Sequence, residues 1–268
     1  MAQVAVAPEE VAATGRSSTG HRFQRLWEVD AWRGVAVVMM VVFHLMYDLW
    51  AFGGRQDIVL SRGFWFYFQR ATAGSFILLV GISLVISYHR ALAGRGSSGL
   101  FWKFFRRGLR IFAVGMGLTA AVWFAGVGRI DFGILHLIGA SVVLAYPFLG
   151  YRWANVALGL ALNGLAEIFQ GLEVSTYGLV WLGLQPPNYV FLDYFPLVPW
   201  FGLVLIGIAL GNTLYPGGQR AFALPDWGRR FPLNLLRFLG RHSLLIYVVH
   251  QPVLIAVLAA LGIIQLPI

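Results

Sequence analysis

Residues 32–52 read WRGVAVVMMVVFHLMYDLWAF. A helix needs ~20 mostly apolar residues to cross the hydrocarbon core of a bilayer. This stretch has that length, and its only charged or imidazole side chains are Arg33, His44 and Asp48. Six more apolar stretches follow, at about 64–88, 108–126, 132–149, 153–170, 196–214 and 241–264. The pattern predicts an all-α, polytopic membrane bundle of about seven transmembrane helices. Composition agrees: 59% of the 268 residues are hydrophobic and 12% are charged, against about 45–50% and about 25% in ordinary soluble domains. A soluble globule of this size cannot hide so much apolar surface. A soluble enzyme, a disordered chain and a disulfide scaffold are therefore excluded, the last also because cysteine is absent.

The net charge of +9 would suggest a nucleic-acid partner in a soluble protein. Here the cations gather in loops. With the N-terminus inside, all of the 20 Lys and Arg except Arg55, Arg62, Arg70 and Arg129 fall on the cytoplasmic side, as the positive-inside bias requires. This predicts a multi-pass protein of the cytoplasmic (inner) membrane, with its C-terminus outside and no nucleic-acid partner. Residues 1–24 read as a mobile cytoplasmic tail, and 25–268 as one transmembrane domain. The fifth stretch, with Asn155, Asn163 and Glu167, is the least apolar. The loop at about 171–195 is the longest outer segment. Its Trp181, Tyr189 and Tyr194 suit an interfacial belt, and its length suits a lid. No internal repeat is visible, and an odd span count disfavours an inverted-repeat transporter.

Ionisable groups inside a span are costly, so function is their default reading. Arg33 and His44 are eleven residues apart. At ~100° and ~1.5 Å per residue they share a face and lie about 16 Å apart. Asp48 is one turn beyond His44, with Tyr47 beside it. A carboxylate next to an imidazole fixes its tautomer and raises its basicity, as a general base needs. Arg33 serves either as a snorkelling anchor or as part of a site. Counting depth along each span puts His44, Asp48, Arg70, His136, Glu167 and His250 in the outer half of the bilayer. An Asp48–Arg70 ion pair is the structural alternative. In the last span Ser243, Tyr247 and His250 share a face, and Pro252 leaves the Val248 carbonyl without its helical donor. The loss marks either a cavity or a plain bend. The inner run 101–107, FWKFFRR, suits lipid anchoring or a polyphosphate ligand.

Residues 25–36, RLWEVDAWRGVA, resemble the R-x-x-x-x-D-x-x-R-G-x-A opening of the heparan-alpha-glucosaminide N-acetyltransferase catalytic-domain family. Its bacterial members were long described only as a domain of unknown function. Further similar pieces follow in order: GISL at 81–84, RRGL at 106–109, FGILHLIG at 132–139, PLVPWFG at 196–202 and SLLIYVVHQP at 243–252. The resemblance implies acetyl transfer across a membrane, from cytosolic acetyl-CoA to a sugar amine on the far side. One departure stands out. In the heparan enzyme the catalytic histidine looks to lie in the loop after the first helix. Here the loop 51–69 has none, and His44 sits inside the helix. Arg33 and His44 also resemble the R-x10-H pair of membrane O-acetyltransferases that modify bacterial surface polysaccharides.

The resulting expectation is an acyltransferase using acetyl-CoA or another acyl-CoA, with a hydroxyl or amine acceptor on a sugar or glycan and no metal. His44 would be the base, oriented by Asp48, with Arg70 or His136 on the oxyanion. Arg33, Arg106, Arg107, Arg110 and Arg241 would bind the CoA phosphates. Glu167, Asp193, Trp200, Tyr247 and His250 would face the acceptor. The bilayer is an obligate partner, and a homo-oligomer is compatible with the reading. The rivals are a proton-coupled permease, since intramembrane His and Asp also build relays, and a non-catalytic membrane subunit. A retinal protein fails, because the single lysine, Lys103, lies outside the last span.

Overall fold

The computed structural model describes residues 25–172 and 174–265. The expected tail at 1–24 lies outside the described residues, as does Glu173 of the long loop. Among the described residues there is no β-sheet. Eight α-helices carry the chain: α1 (Trp27–Ala51), α2 (Gly63–Arg95), α3 (Leu100–Phe124), α4 (Ile134–Leu144), α5 (Trp153–Gln170), α6 (Leu197–Leu214), α7 (Leu233–Arg241) and α8 (Ser243–Ala260). Each of the seven apolar stretches overlaps one of these helices. The addition is α7, a nine-residue helix too short to span and absent from the apolar pattern. Five helices, α1, α2, α3, α6 and α8, are long and apolar enough to cross a membrane. The 11 residues of α4 cover only about 16 Å. That helix stops before the 3-10 turn Tyr146–Phe148, which holds Pro147.

Glycine decides how closely these helices approach. Lipid gives apolar helices no hydrophobic reason to associate, so packing depends on small residues that let backbones touch. On α2 and α6, Gly81 faces the backbone of Val204 and Gly207, and Gly207 faces that of Leu78. A Cβ at Gly139 of α4 would lie 2.8 Å from the Gly108 carbonyl oxygen of α3. One at Gly202 of α6 would lie 2.6 Å from the Gly159 oxygen of α5. Gly34 of α1 and Gly240 of α7 meet the backbones of Leu236 and Asp30, which explains why so short a helix as α7 forms where it does.

Ile77, Leu84 and Val85 of α2, Phe104 of α3, Leu137 of α4 and Val204, Leu205 and Ile208 of α6 fill the interior. At the perimeter, Trp123, Phe124, Leu160, Ile168, Leu245 and Val253 are exposed, the surface a bilayer would cover. A charged clamp fixes the start of α1. Arg220 donates to Glu28 through Nε (2.9 Å) and Nη2 (2.5 Å), and the Tyr215 hydroxyl adds a third bond at 3.3 Å.

Candidate active site

The α1–α8 seam holds two histidines. The Nδ1–H of His44 donates to the Met40 carbonyl at 2.9 Å. The Nδ1–H of His250 donates to the Tyr247 carbonyl at 2.7 Å. A carbonyl can only accept, so each bond fixes the proton on Nδ1 and leaves Nε2 as a lone pair. The two rings meet edge to face, with centroids 4.7 Å apart. His250 is buried, and its Nε2 has no hydrogen-bond partner among the described residues. Asp48, fully buried, accepts from Gln251 Nε2 at 2.5 Å. This corrects the expected role of Asp48. It shares the C-terminal turns of α1 with His44, but its carboxylate crosses to α8, and the Met40 carbonyl holds the imidazole instead. Side chains on a helix lean toward its N-terminus, which carries the His44 ring toward Met40 and away from Asp48.

A second polar group sits where the long loop meets α4. Asp193 Oδ2 accepts from the Ile134 amide at 3.1 Å and from the Tyr247 hydroxyl at 3.0 Å. The carboxylate thus caps α4 and ties the loop to α8. Burial raises the Asp193 carboxyl to about 6, while the bonds from Tyr247 and Ile134 pull the other way. His136 completes the cap: its Nδ1 accepts from the Gly133 amide at 3.1 Å. Its ring packs edge-on against Phe112 and beside Gly115 of α3. Burial in the same region lifts the Tyr194 hydroxyl to about 12, and that hydroxyl donates to the Val180 carbonyl. In the loop, Tyr189 packs against Tyr177, Phe191 and Tyr194.

The other expected residues are scattered. Arg70 is exposed and lies over the Phe66 ring, 3.6 Å from its centroid, unpaired with Asp48. Glu167 is exposed on α5. Trp200 packs on Phe195. Between α1, α2 and α4, Met40, Phe43, Thr72, Phe76, Ile134 and Phe195 help to enclose an apolar chamber of about 60 Å³.

At the other end of α1 lies a cavity of about 600 Å³. Arg25, Arg33, Arg90 and Lys103 line it with Asp30, Ser83 and Ser87. Arg33 is no snorkelling anchor. It donates to Asp30 at 3.1 Å and to Ser83 Oγ at 2.8 Å, and Asp30 also accepts from Arg25 at 2.6 Å and Arg241 at 3.5 Å. Four cations against one carboxylate make this a site for a polyanion. Of the expected phosphate ligands only Arg33 lines it. Arg106, Arg107 and Arg110 are exposed on α3, and Arg241 reaches it only through Asp30. Sequence reading missed Arg25, Arg90, Ser83 and Ser87, and held Lys103 only as part of the 101–107 run offered for lipid or a polyphosphate. The available signal was that the 33-residue α2 runs about 50 Å, past the ~30 Å core. Arg90 is therefore carried out to the cavity.

A polyanion cavity at one end of α1 and a paired imidazole site about 16 Å along it are what transfer between a charged carrier and a second substrate requires. The family model for heparan-alpha-glucosaminide N-acetyltransferase, catalytic, matches residues 25–252. The chain belongs to that family. No curated protein and no solved structure matches it. Membership makes the chain a multi-pass membrane acetyltransferase, of a family whose donor is acetyl-CoA. Among the described residues no three His, Asp or Glu side chains converge as a metal site.

Proposed function

We propose that this acetyltransferase takes an acyl group from cytoplasmic acyl-CoA bound in the Arg25–Arg33–Arg90–Lys103 cavity. It delivers the group to a hydroxyl or amine on a sugar at the outer end of α1. The observation that carries the reading is the His44 tautomer. With Nδ1–H committed to Met40, its Nε2 lone pair is the base. It takes the acceptor proton as the acceptor oxygen or nitrogen attacks the thioester carbonyl. The C–S bond breaks, and the proton passes to the CoA thiolate. The chamber beside Met40 and Phe43 has room for the acyl methyl group. Asp193, Tyr247 and His136 hold the loop and the start of α4 over that chamber. Arg70 and Glu167, exposed and apart, take no part.

On this reading α4 and α5 complete seven passes, the N-terminus is cytoplasmic and the membrane is the inner one. The positive-inside count supports that orientation. The test is acyl transfer by purified protein with acetyl-CoA and amino-sugar or polysaccharide acceptors. His44→Gln is expected to lower kcat by about 10²–10⁴. Full activity in that variant removes His44 as the base. Solute flux in proteoliposomes without CoA would make the protein a permease instead.

A further inference from the structure

Two arginines of α3 stay outside the basic cavity. Arg106 and Arg110 do not line it. With Trp102 they form one exposed ridge, each residue four positions and ~40° from the next. The buried Phe104 and Gly108 point ~200° away from Trp102 and Arg106. Gly108 seats α3 on α4, and α3 barely touches α2, so the ridge faces the bilayer. From Lys103, which lines the cavity, to Phe124 at the end of α3 is about 32 Å, one hydrocarbon core. On that measure Arg106 starts about 4 Å and Arg110 about 10 Å inside the core. Neither makes an ion pair among the described residues. A cation at that depth is costly unless an anion meets it. Side chains lean toward the N-terminus of a helix, here the cavity end, which lets both guanidiniums reach back toward the headgroups. Trp102 stands at that level edge-on to Phe105, and its neighbour Phe101 packs on Tyr146 with ring centroids 5.4 Å apart. Such rings anchor a helix at the headgroups.

We propose that Trp102, Arg106 and Arg110 form a binding site for one anionic phospholipid of the leaflet on the cavity side. Its phosphate pairs with the two guanidiniums, and its acyl chains run along the exposed Ala113 and Met116 of the same helix. A zwitterionic lipid brings its own cation to the phosphate and leaves the arginines with surplus charge. A net-negative headgroup does not. The run 101–107 thus serves two anions, with Lys103 in the cavity and Arg106 at the bilayer.

Protein purified in neutral detergent is titrated with phosphatidylglycerol or phosphatidylcholine, and bound lipid is counted by native mass spectrometry. Wild type should prefer phosphatidylglycerol and show one tight site for it. Arg106→Gln with Arg110→Gln should weaken that site about 30-fold, and Arg106→Gln alone about fivefold. Arg229→Gln with Arg230→Gln removes the same charge from another exposed stretch and should change the site less than about twofold. Equal loss in the two double variants overturns the proposal, because only general attraction to a basic surface is then left. Equal binding of the two lipids by wild type also overturns it. Displacement of the lipid by glycerol phosphate would make this a site for a soluble phosphate instead. Acyl-CoA binding by Arg106→Gln with Arg110→Gln should match wild type. A loss there returns the two arginines to the cavity and refutes the lipid assignment.

Discussion

Replace Asp193 with Asn and compare thermal stability with wild type from pH 4 to pH 8. The carboxyl sits at about 6 in the folded chain against 3.8 for an unperturbed aspartate. A carboxyl raised on folding stabilises the protein in its protonated form. That contribution is complete below pH 3.8 and is lost as pH climbs through about 6. Between those values the unfolded chain ionises while the folded one still keeps its proton. At about 1.36 kcal/mol per tenfold change in affinity, the wild type gives up about 2–3 kcal/mol across this window. Asn has nothing to ionise, and its amide oxygen can still accept from Ile134 and Tyr247. The Tm difference, variant minus wild type, should therefore rise by roughly 5–10 °C between pH 4 and pH 8. Nearly all of the rise should fall below pH 7. Differential scanning of detergent-solubilised protein measures it. A difference that stays flat with pH, or falls, refutes the burial of this carboxyl and with it the latch between loop and α8.

In the basic cavity, Arg25→Ala or Lys103→Ala should weaken acyl-CoA binding about tenfold by titration calorimetry, a loss of ~1.4 kcal/mol; Arg106→Ala, on the exposed face of α3, should not. Phe76→Ala should enlarge the apolar chamber and raise kcat/KM for butyryl-CoA relative to acetyl-CoA in competition assays. Gly207→Val should force α2 and α6 apart at a cost of about 3 kcal/mol, read as loss of the monodisperse peak on size exclusion.

The helices in the seven apolar stretches were legible because hydropathy and length mark them, and five of those helices are long and apolar enough to cross a membrane. Helix α7 was not, because LNLLRFLGR has too few residues to read as a span and is held by a backbone contact between Gly34 and Leu236 that no periodicity announces. Spacing placed Asp48 and His44 one turn apart, but which neighbour each side chain meets depends on the rotation of α8 against α1. That rotation brings Gln251 to Asp48 and His250 to His44. The adjacent His250-Gln251 pair was the signal, since neighbouring residues on one helix meet different partners on the next. Arg106 and Arg107 drew the phosphate assignment through their density along the chain. The cavity instead selects cations that distant turns of α1, α2 and α3 bring together.

The glycine contacts make two kinds of boundary inside the bundle. Where α2 meets α6, and α6 meets α5, glycine backbone lies on backbone, which leaves little room for either helix to shift. Between α1 and α8 the touching groups are imidazole, carboxylate and amide, whose bonds can be exchanged for bonds to a passing substrate. On the proposed reading, an acyl group passing along α1 would have one wall of exchangeable bonds to follow, lined by the groups assigned to the chemistry.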